Sequence, residues 1–213
     1  MNIAIAGRAR VGKDTVGQYL VETRGYRRVA FADALKEAAL RVDPILEVTD
    51  YGDTVNRLSD VLQMPPVIDF RRPYSNVDRR SPWDRAKDEV PEVRRFLQEL
   101  GAAMRAVDPE IWIRAAMEKV DEANDAGVPC VITDMRYPNE LASIRSYRHW
   151  HTIHVDRPGV PQLVHESEGA IGPEDTAFMV RNVGTLDDLH RQVDTVLEEI
   201  DAIESARHYA RYF

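Results

Sequence analysis

The stretch that decides the fold of this chain reads Gly7-Arg8-Ala9-Arg10-Val11-Gly12-Lys13-Asp14-Thr15. An apolar run, residues 2–6, precedes it, and apolar residues recur at helical spacing after Lys13. Two glycines and a lysine between a strand and a helix are typical of a phosphate-binding loop, because glycine lets successive backbone N–H groups turn toward phosphate oxygens. The stretch therefore predicts such a loop, in which Lys13 reaches the β- and γ-phosphates of a nucleotide.

One position departs from the usual form of these loops, in which a serine or threonine follows the lysine and supplies a hydroxyl to magnesium. Here Asp14 follows Lys13, and Thr15 comes next. Asp14 and Thr15 are therefore the candidate metal contacts, directly or through water. Thr15 could instead supply its hydroxyl to a phosphate, Asp14 could face the acceptor, and either residue could simply cap the helix that begins at this point.

Apolar runs also predict the rest of the sheet. After residues 2–6, further strands are expected at residues 28–32, 130–133, 152–155 and 178–180. Helical stripes lie between them: Asp33 is expected to cap a helix that ends near Pro44, and the last helix is expected from about Leu186 to Ile203. Strands that alternate with helices predict an α/β fold with a five-stranded parallel sheet and helices on both faces.

Two segments interrupt this pattern. Residues 64–91 contain five prolines and many arginines, which predicts an irregular excursion rather than a strand or a long helix. Residues 157–176 follow the fourth strand and are rich in proline, glycine and charge, so a lid over the site is the hypothesis for them. Both are expected as insertions in a single domain that spans residues 1–213.

Composition limits the partners of the chain. Its formal net charge is -8 and no long basic run offsets it, which argues against nucleic acid as a partner and favours a small molecule. No secretory signal is evident, and no apolar run approaches the ~20 residues needed to cross a bilayer. A cytoplasmic protein without a membrane partner is expected, as a monomer or a homodimer.

Two motifs resemble those of the phage-type deoxynucleoside monophosphate kinases, a branch of the P-loop nucleoside monophosphate kinases. They are Gly12-Lys13-Asp14-Thr15 and Phe31-Ala32-Asp33-Ala34-Leu35-Lys36. Further stretches similar to that family are Leu97-Gln98-Glu99-Leu100-Gly101 with Arg105, Asp108 and Trp112, Thr133-Asp134-Met135-Arg136-Tyr137-Pro138-Asn139-Glu140, His165-Glu166-Ser167-Glu168, and Arg181-Asn182-Val183-Gly184-Thr185. The resemblance implies a P-loop nucleotide kinase fold with inserted acceptor-binding and lid segments. It also implies ATP and Mg²⁺ as cofactors, and a phage-like source.

The residues themselves suggest where the chemistry lies. Asp33 and Asp134 follow predicted strands, and ligands of open α/β sheets bind beyond the carboxyl ends of the strands. An anionic acceptor also requires arginines that offset charge repulsion. The predicted catalytic residues are Lys13, Asp134, Arg136 and Arg157. For Arg136, the alternative is a salt bridge to Glu140, one helical turn away.

The remaining candidates bind the two nucleotides. Asn182 joins residues 7–15 as a nucleotide-binding residue. The predicted acceptor-binding residues are Asp33, Lys36, Gln98, Arg105, Trp112, Glu140 and Glu168. Three of them have alternatives: Lys36 and Arg105 could be solvated residues on helix surfaces, and Trp112 could pack in the core instead of stacking on a base.

The predicted activity is ATP-dependent phosphorylation of deoxynucleoside monophosphates to diphosphates, with the base left open. The nearest alternative keeps the fold and changes the acceptor, as in dephospho-coenzyme A kinase or another small-molecule P-loop kinase. A second alternative is an ATP-binding module without catalysis, which would use the arginine-rich segment to hold a protein partner.

Overall fold

The computed structural model describes residues 1–43, 45–49, 70–73, 91–147, 149–161 and 169–212. The chain divides into two compact units. Unit 1 comprises Met1–Asp33 and Pro109–Phe213, and unit 2 comprises Ala34–Asp108, so that unit 2 interrupts the chain of unit 1. A single domain over residues 1–213 stays a prediction.

The described elements follow one another as strands and helices of ordinary length. In chain order they are β1 (Asn2–Ala6), α1 (Lys13–Arg24), β2 (Arg27–Val29), α2 (Phe31–Val42), β3 (Ile45–Thr49), β4 (Phe70–Pro73), α3 (Pro91–Val107), α4 (Ile111–Asp125), β5 (Cys130–Met135), α5 (Pro138–Ser146), β6 (Trp150–Asp156), a single 3₁₀ turn (Pro173–Asp175), β7 (Phe178–Arg181) and α6 (Leu186–Tyr212).

Five strands of unit 1 form one parallel sheet in the order β2-β5-β1-β6-β7. All five overlap the predicted strands, and the predicted α/β fold class is confirmed. The second strand was predicted to extend to residue 32, but β2 ends at Val29 and α2 begins at Phe31. Strand β1 is central, and its last residue, Ala6, lies opposite Met135 of β5 and His154 of β6. The loop that follows β1 therefore leaves the middle of the carboxyl edge of the sheet, where open α/β folds bind ligands.

The two faces of the sheet bury different side chains, because successive residues of a strand point to opposite sides. On one face, Ile3 and Ile5 of β1 pack with apolar residues of α1 and α6. On the other face, Ala4 and Ala6 pack with apolar residues of α4 and α5. Helices thus cover both faces, as predicted, and both faces of β1 are fully buried.

Unit 2 has its own small core, in which Ala39 of α2 packs with Val93 and Leu97 of α3. It also contains an antiparallel pair, β3 with β4. The prediction that residues 64–91 contain no strand is wrong at residues 70–73, which form β4. A proline ends this strand, and an antiparallel edge tolerates proline at its terminus. Residues 64–69 and 74–90 of the predicted excursion lie outside the described residues.

The last helix is longer than its apolar pattern indicates. Helix α6 continues from the predicted end at Ile203 to Tyr212. The added residues are mostly exposed, so no apolar stripe marks them, and they contain neither proline nor glycine that would end the helix. Within the part of the chain that the structure describes, no helix is both long enough and apolar enough to cross a membrane.

Candidate active site

The loop between β1 and α1 depends on glycine at both of its ends. Gly7 has φ 137° and Gly12 has φ 106°, conformations that L-residues rarely adopt. A Cβ on Gly7 would clash with the backbone carbonyl oxygen of Val155, and one on Gly12 would lie 2.6 Å from Asn182 Nδ2. The backbone therefore curls as a phosphate-binding loop requires, with neighbouring strands packed directly against it.

Lys13 is the first residue of α1 and is 7% exposed. Its Nζ donates hydrogen bonds to the carbonyl oxygens of Gly7, at 2.8 Å, and of Arg8, at 2.6 Å. The ammonium group is thus held by the loop that it follows. A buried charge needs such partners, and anionic phosphate oxygens are stronger acceptors than neutral carbonyls.

Three side chains tie the loop to the neighbouring strands, one from the loop itself and two from β6 and the residue after β7; we call them the loop bracket: Arg8, Asp156 and Asn182. Arg8 forms an ion pair with Asp156 at the end of β6, at 3.4 Å, and donates to the carbonyl oxygen of Val160. Asn182 donates from its backbone to the carbonyl oxygen of Asp156, at 2.7 Å, and from Nδ2 to that of Val11, at 2.9 Å. Both ends of the loop are therefore tied to β6 and β7.

The two candidate metal contacts, Asp14 and Thr15, are exposed in the first turn of α1. Neither caps the helix with its side chain, because Gly12 occupies the N-cap position and no side-chain cap hydrogen bond is present there. The negative charge of Asp14 still lies near the positive end of the helix dipole. Among the described residues, no group of three or more histidine, cysteine or acidic side chains is arranged to hold a metal ion.

The predicted carboxylates Asp33 and Asp134 meet at the start of α2. Both oxygens of Asp134 accept backbone N–H groups, from Phe31 and from Ala32, each at 2.9 Å. Asp33 is not the N-cap that the sequence predicted; it is the third residue of α2, and its carboxylate accepts the N–H of Ala30 at 3.2 Å. The cap of α2 comes from β5, which no local pattern in the sequence reveals.

Burial affects Asp134 more than its hydrogen bonds do. Desolvation raises the pKa of Asp134 above its ordinary value, although the two backbone N–H groups and the charge of Arg136 act in the opposite direction. The carboxyl group therefore holds a proton more readily than a solvated aspartate.

The predicted catalytic arginines lie at the ends of the two strands that flank β1. Arg136 follows β5 and Arg157 follows β6, and both are exposed. Neither guanidinium forms a hydrogen bond or an ion pair with another residue that the structure describes. The alternative of a salt bridge between Arg136 and Glu140 is absent, because Glu140 accepts the backbone N–H groups of Arg136, at 2.6 Å, and Tyr137, at 2.9 Å.

The predicted acceptor-binding residues are distributed over both units. In unit 2, Lys36 is half-buried on α2, Gln98 is exposed on α3, and Arg105 lies half-buried near Gly101 of the same helix. In unit 1, Trp112 is only 8% exposed on α4, which fits the core-packing alternative. Glu168 and part of the predicted lid, residues 162–168, lie outside the described residues.

Sequence reasoning missed three polar residues near the loop. Asp156 is part of the loop bracket, and Thr133 and His154 are buried in β5 and β6. The Oγ1 atom of Thr133 and the Nδ1 atom of His154 have no hydrogen-bond partner among the described residues. No clear signal in the sequence marks His154, because β6 also contains His151 and Thr152, and Asp156 could be found only through its contact with Arg8.

Comparisons with known proteins identify a family for the chain. A family model described as deoxynucleotide monophosphate kinase matches residues 79–193. An uncharacterised protein, ORF77 of Ictalurid herpesvirus 1 (strain Auburn), is 31% identical over 114 residues, which are 51% of this chain and 50% of that protein. The chain thus spans about half the length of the curated relative that it matches.

Two solved kinase structures are distantly similar to the chain. A gluconokinase from Sinorhizobium meliloti 1021 has a TM-score of 0.47 and 13% identity, covering 98% of this chain and 96% of that one. A dephospho-CoA kinase from Campylobacter jejuni has a TM-score of 0.46 and 10% identity, covering 93% of this chain and 96% of that one. Likenesses this distant assign no activity.

Proposed function

Because the chain belongs to the deoxynucleotide monophosphate kinase family, we propose that it transfers the γ-phosphoryl group of ATP to a deoxynucleoside monophosphate. A phosphate oxygen of the acceptor attacks the γ-phosphorus while the bond to the β–γ bridging oxygen breaks, which yields ADP and the deoxynucleoside diphosphate. The observation that carries the proposal is the glycine-bounded loop at the end of the central strand, with Lys13 buried behind it.

Lys13 provides the positive charge that follows the migrating phosphoryl group. In the structure its Nζ is held by the carbonyl oxygens of Gly7 and Arg8. We propose that phosphate oxygens of ATP replace these acceptors, which keeps the ammonium paired throughout. The loop bracket supports this exchange, because it holds the loop backbone in place when the lysine leaves its carbonyl partners.

The residues around the loop fit Mg²⁺ as the metal. Asp14 and Thr15 offer exposed oxygen donors in the first turn of α1, and Mg²⁺ is usually held by one or two protein oxygens together with substrate phosphates and water. We propose that these two residues hold the ion, directly or through water. When bound, Mg²⁺ would neutralise charge on the β- and γ-phosphates.

Arg136 and Arg157 are proposed to stabilise the charge that the transferred group carries. They follow the two strands beside β1, and their guanidinium groups are uncommitted among the described residues. Glu140 supports this role, because it fixes the backbone of Arg136 through a hydrogen bond of 2.6 Å. Asp134 is proposed to position the first turn of α2, and with it Asp33, rather than to move a proton itself.

Acceptor binding is proposed for the remaining candidates, Lys36, Gln98, Arg105 and Glu168, together with Asp33 and Glu140, whereas the burial of Trp112 favours its core-packing alternative. This part of the proposal rests on family membership, and Arg105 and Lys36 are the charged groups in it that suit an acceptor phosphate.

A coupled assay of ADP release tests the proposal, with ATP, magnesium and each of the four deoxynucleoside monophosphates as acceptors. We expect turnover with at least one of them. Lys13→Ala should lower kcat/KM by at least about 10²-fold, because charge stabilisation of the transition state is lost. Lys119→Ala, a substitution on α4 outside the loop, is the matched control and should leave turnover unchanged.

Other acceptors define the outcomes that would contradict the proposal. Ribonucleoside monophosphates and dephospho-coenzyme A are included in the same assay. Turnover with dephospho-coenzyme A alone would replace the proposed acceptor with that of the alternative kinase. No turnover with any acceptor, together with measurable ATP binding, would favour the non-catalytic module.

A further inference from the structure

His154 is a buried histidine beside the phosphate-binding loop that the proposed function does not use. It lies in β6, is 7% exposed, and pairs with Ala6, the residue directly before Gly7. Its ring forms no hydrogen bond with any residue that the structure describes, and its Nδ1 atom is fully buried without a partner. Burying an imidazole without a hydrogen-bond partner costs free energy, which makes His154 a candidate for a role at the loop.

The strand places His154 on the face opposite α1. Its neighbours Ile153 and Val155 pack in the core with α1 and α6, and alternate residues of a strand point to opposite sides. Thr152 shares the face of His154, and its hydroxyl accepts the N–H of Ala177. The imidazole therefore lies on the same face of the sheet as the chain segment around Ala177.

Four charged groups act on this imidazole. Arg8 lies in the loop and Lys13 at the start of α1. Asp156 ends β6, the strand that contains His154, and Glu174 lies in the 3₁₀ turn. Burial, the largest effect, and the two cations lower the pKa of His154, whereas the two carboxylates act in the opposite direction. The ring is therefore neutral near neutral pH in the structure described.

We propose that His154 is a proton-uptake site coupled to phosphate binding: the imidazole is neutral while Lys13 is held by the loop carbonyls, and it takes up a proton when a polyphosphate occupies the loop. The inference rests on the proposed function, in that the polyphosphate must bind at Lys13. The proton comes from solvent and adds to the free ring nitrogen, so that no other reactant is needed.

Electrostatics gives the direction of this coupling. A polyphosphate brings several negative charges to the loop, where it would offset the positive charges of Lys13 and Arg8 that lower the pKa of the ring. A nearby anion favours the charged form of histidine, and the imidazolium would also gain Asp156 and Glu174 as opposite charges. By reciprocity, protonation must tighten phosphate binding as much as phosphate binding favours protonation.

Nuclear magnetic resonance of the histidine rings in the full chain tests the proposal directly. The rings are titrated between about pH 5 and pH 8 with and without saturating ATP. We expect ATP to raise the pKa of His154 by about one unit, which corresponds to about tenfold tighter binding of ATP by the protonated form. An unchanged pKa in the ATP complex would overturn the inference.

His151 is the matched control, because it is buried in the same strand but its Nε2 faces Glu204 at 3.1 Å instead of the loop. Its pKa should not respond to ATP, and an equal response at both rings would overturn the inference as a non-specific effect. His154→Gln assigns the resonance, and if that variant does not fold, replacing the other histidines one at a time assigns it by elimination. Failure of the wild-type chain to bind ATP would overturn the proposed function itself, whereas binding without the pKa change overturns this inference alone.

Discussion

At the scale of single residues, the loop depends on Gly7 for its backbone conformation and for the space around it, and Gly25 at the end of α1 serves as a comparison. Gly7, with φ 137°, and Gly25, with φ 69°, both have backbone conformations that disfavour a side chain. They differ in their surroundings: a Cβ on Gly7 would clash with the carbonyl oxygen of Val155, whereas one on Gly25 would meet no atom within 4 Å. Because an L-residue can adopt φ 69° at moderate cost but not φ 137°, the same substitution compares a moderate conformational cost alone at Gly25 with a larger cost and a clash at Gly7.

Gly25→Ala should lower the free energy of unfolding by about 1–2 kcal/mol, the cost of the left-handed conformation alone. Gly7→Ala should cost more and should also weaken ATP binding, because relieving the clash must move either the loop or β6. Urea unfolding and calorimetric ATP titration measure the two effects. Equal losses of stability in both variants, with ATP binding retained, would contradict this explanation.

At the scale of elements, contacts between residues distant in sequence shape the start of each helix near the site. Asp134 of β5 caps α2, and Asn182 beyond β7 supports the loop that leads into α1. Asn182 was predicted to bind nucleotide, and that role stays a prediction. Its contact with the carbonyl oxygen of Val11 adds a supporting role, because Val11 is fully buried and its carbonyl group needs a donor.

Asn182→Ala should therefore lower the free energy of unfolding by about 1–3 kcal/mol and also weaken ATP binding. The matched control is Gln192→Ala, since the side-chain amide of Gln192 forms two similar hydrogen bonds with the backbone of Arg181 at the edge of the sheet. The control should lose stability and bind ATP normally. If Asn182→Ala weakens ATP binding with no loss of stability, the residue contacts nucleotide only and does not support the loop.

At the scale of the whole molecule, Glu204 joins the last helix to the start of β6. Its carboxylate accepts from His149, at 2.9 Å, from Arg207, at 2.8 Å, and lies 3.1 Å from His151 Nε2. These partners, with the hydrogen bond to His149 as the largest contribution, lower the pKa of Glu204 from 4.5 to about 2. Because the folded-state pKa lies below the ordinary value, the resulting stability is present above about pH 4.5 and is lost as the pH falls toward 2.

Glu204→Gln should lower the free energy of unfolding at neutral pH by about 1–2 kcal/mol, and it should reduce the further loss of stability on acidification. Urea unfolding at about pH 7, 5 and 3.5 measures both effects. Glu199→Gln on the exposed side of the same helix is the control and should follow the wild type. A parallel pH dependence in all three proteins would show that the Glu204 contacts do not contribute.

Local patterns in the sequence are sufficient to predict the loop and the parallel sheet. The glycines and Lys13 predicted the loop, and short apolar runs predicted all five strands of the parallel sheet. These features can be predicted because the apolar pattern of a strand or a helix repeats within a few residues. The pair β3–β4 was missed because a strand is stabilised by its partner, and the partner is distant in sequence.

Which polar groups are available at the site depends on contacts between distant parts of the chain. Asp134 accepts backbone N–H groups at the start of α2, Asp156 pairs with Arg8, and His154 is buried beside the loop, whereas the guanidinium of Arg136 forms no hydrogen bond or ion pair within the described part of the chain. The residues in these contacts lie about a hundred or more positions apart, as in the pair Phe31 and Asp134. No local pattern records such a contact, because it exists only once parallel strands from distant parts of the chain lie side by side.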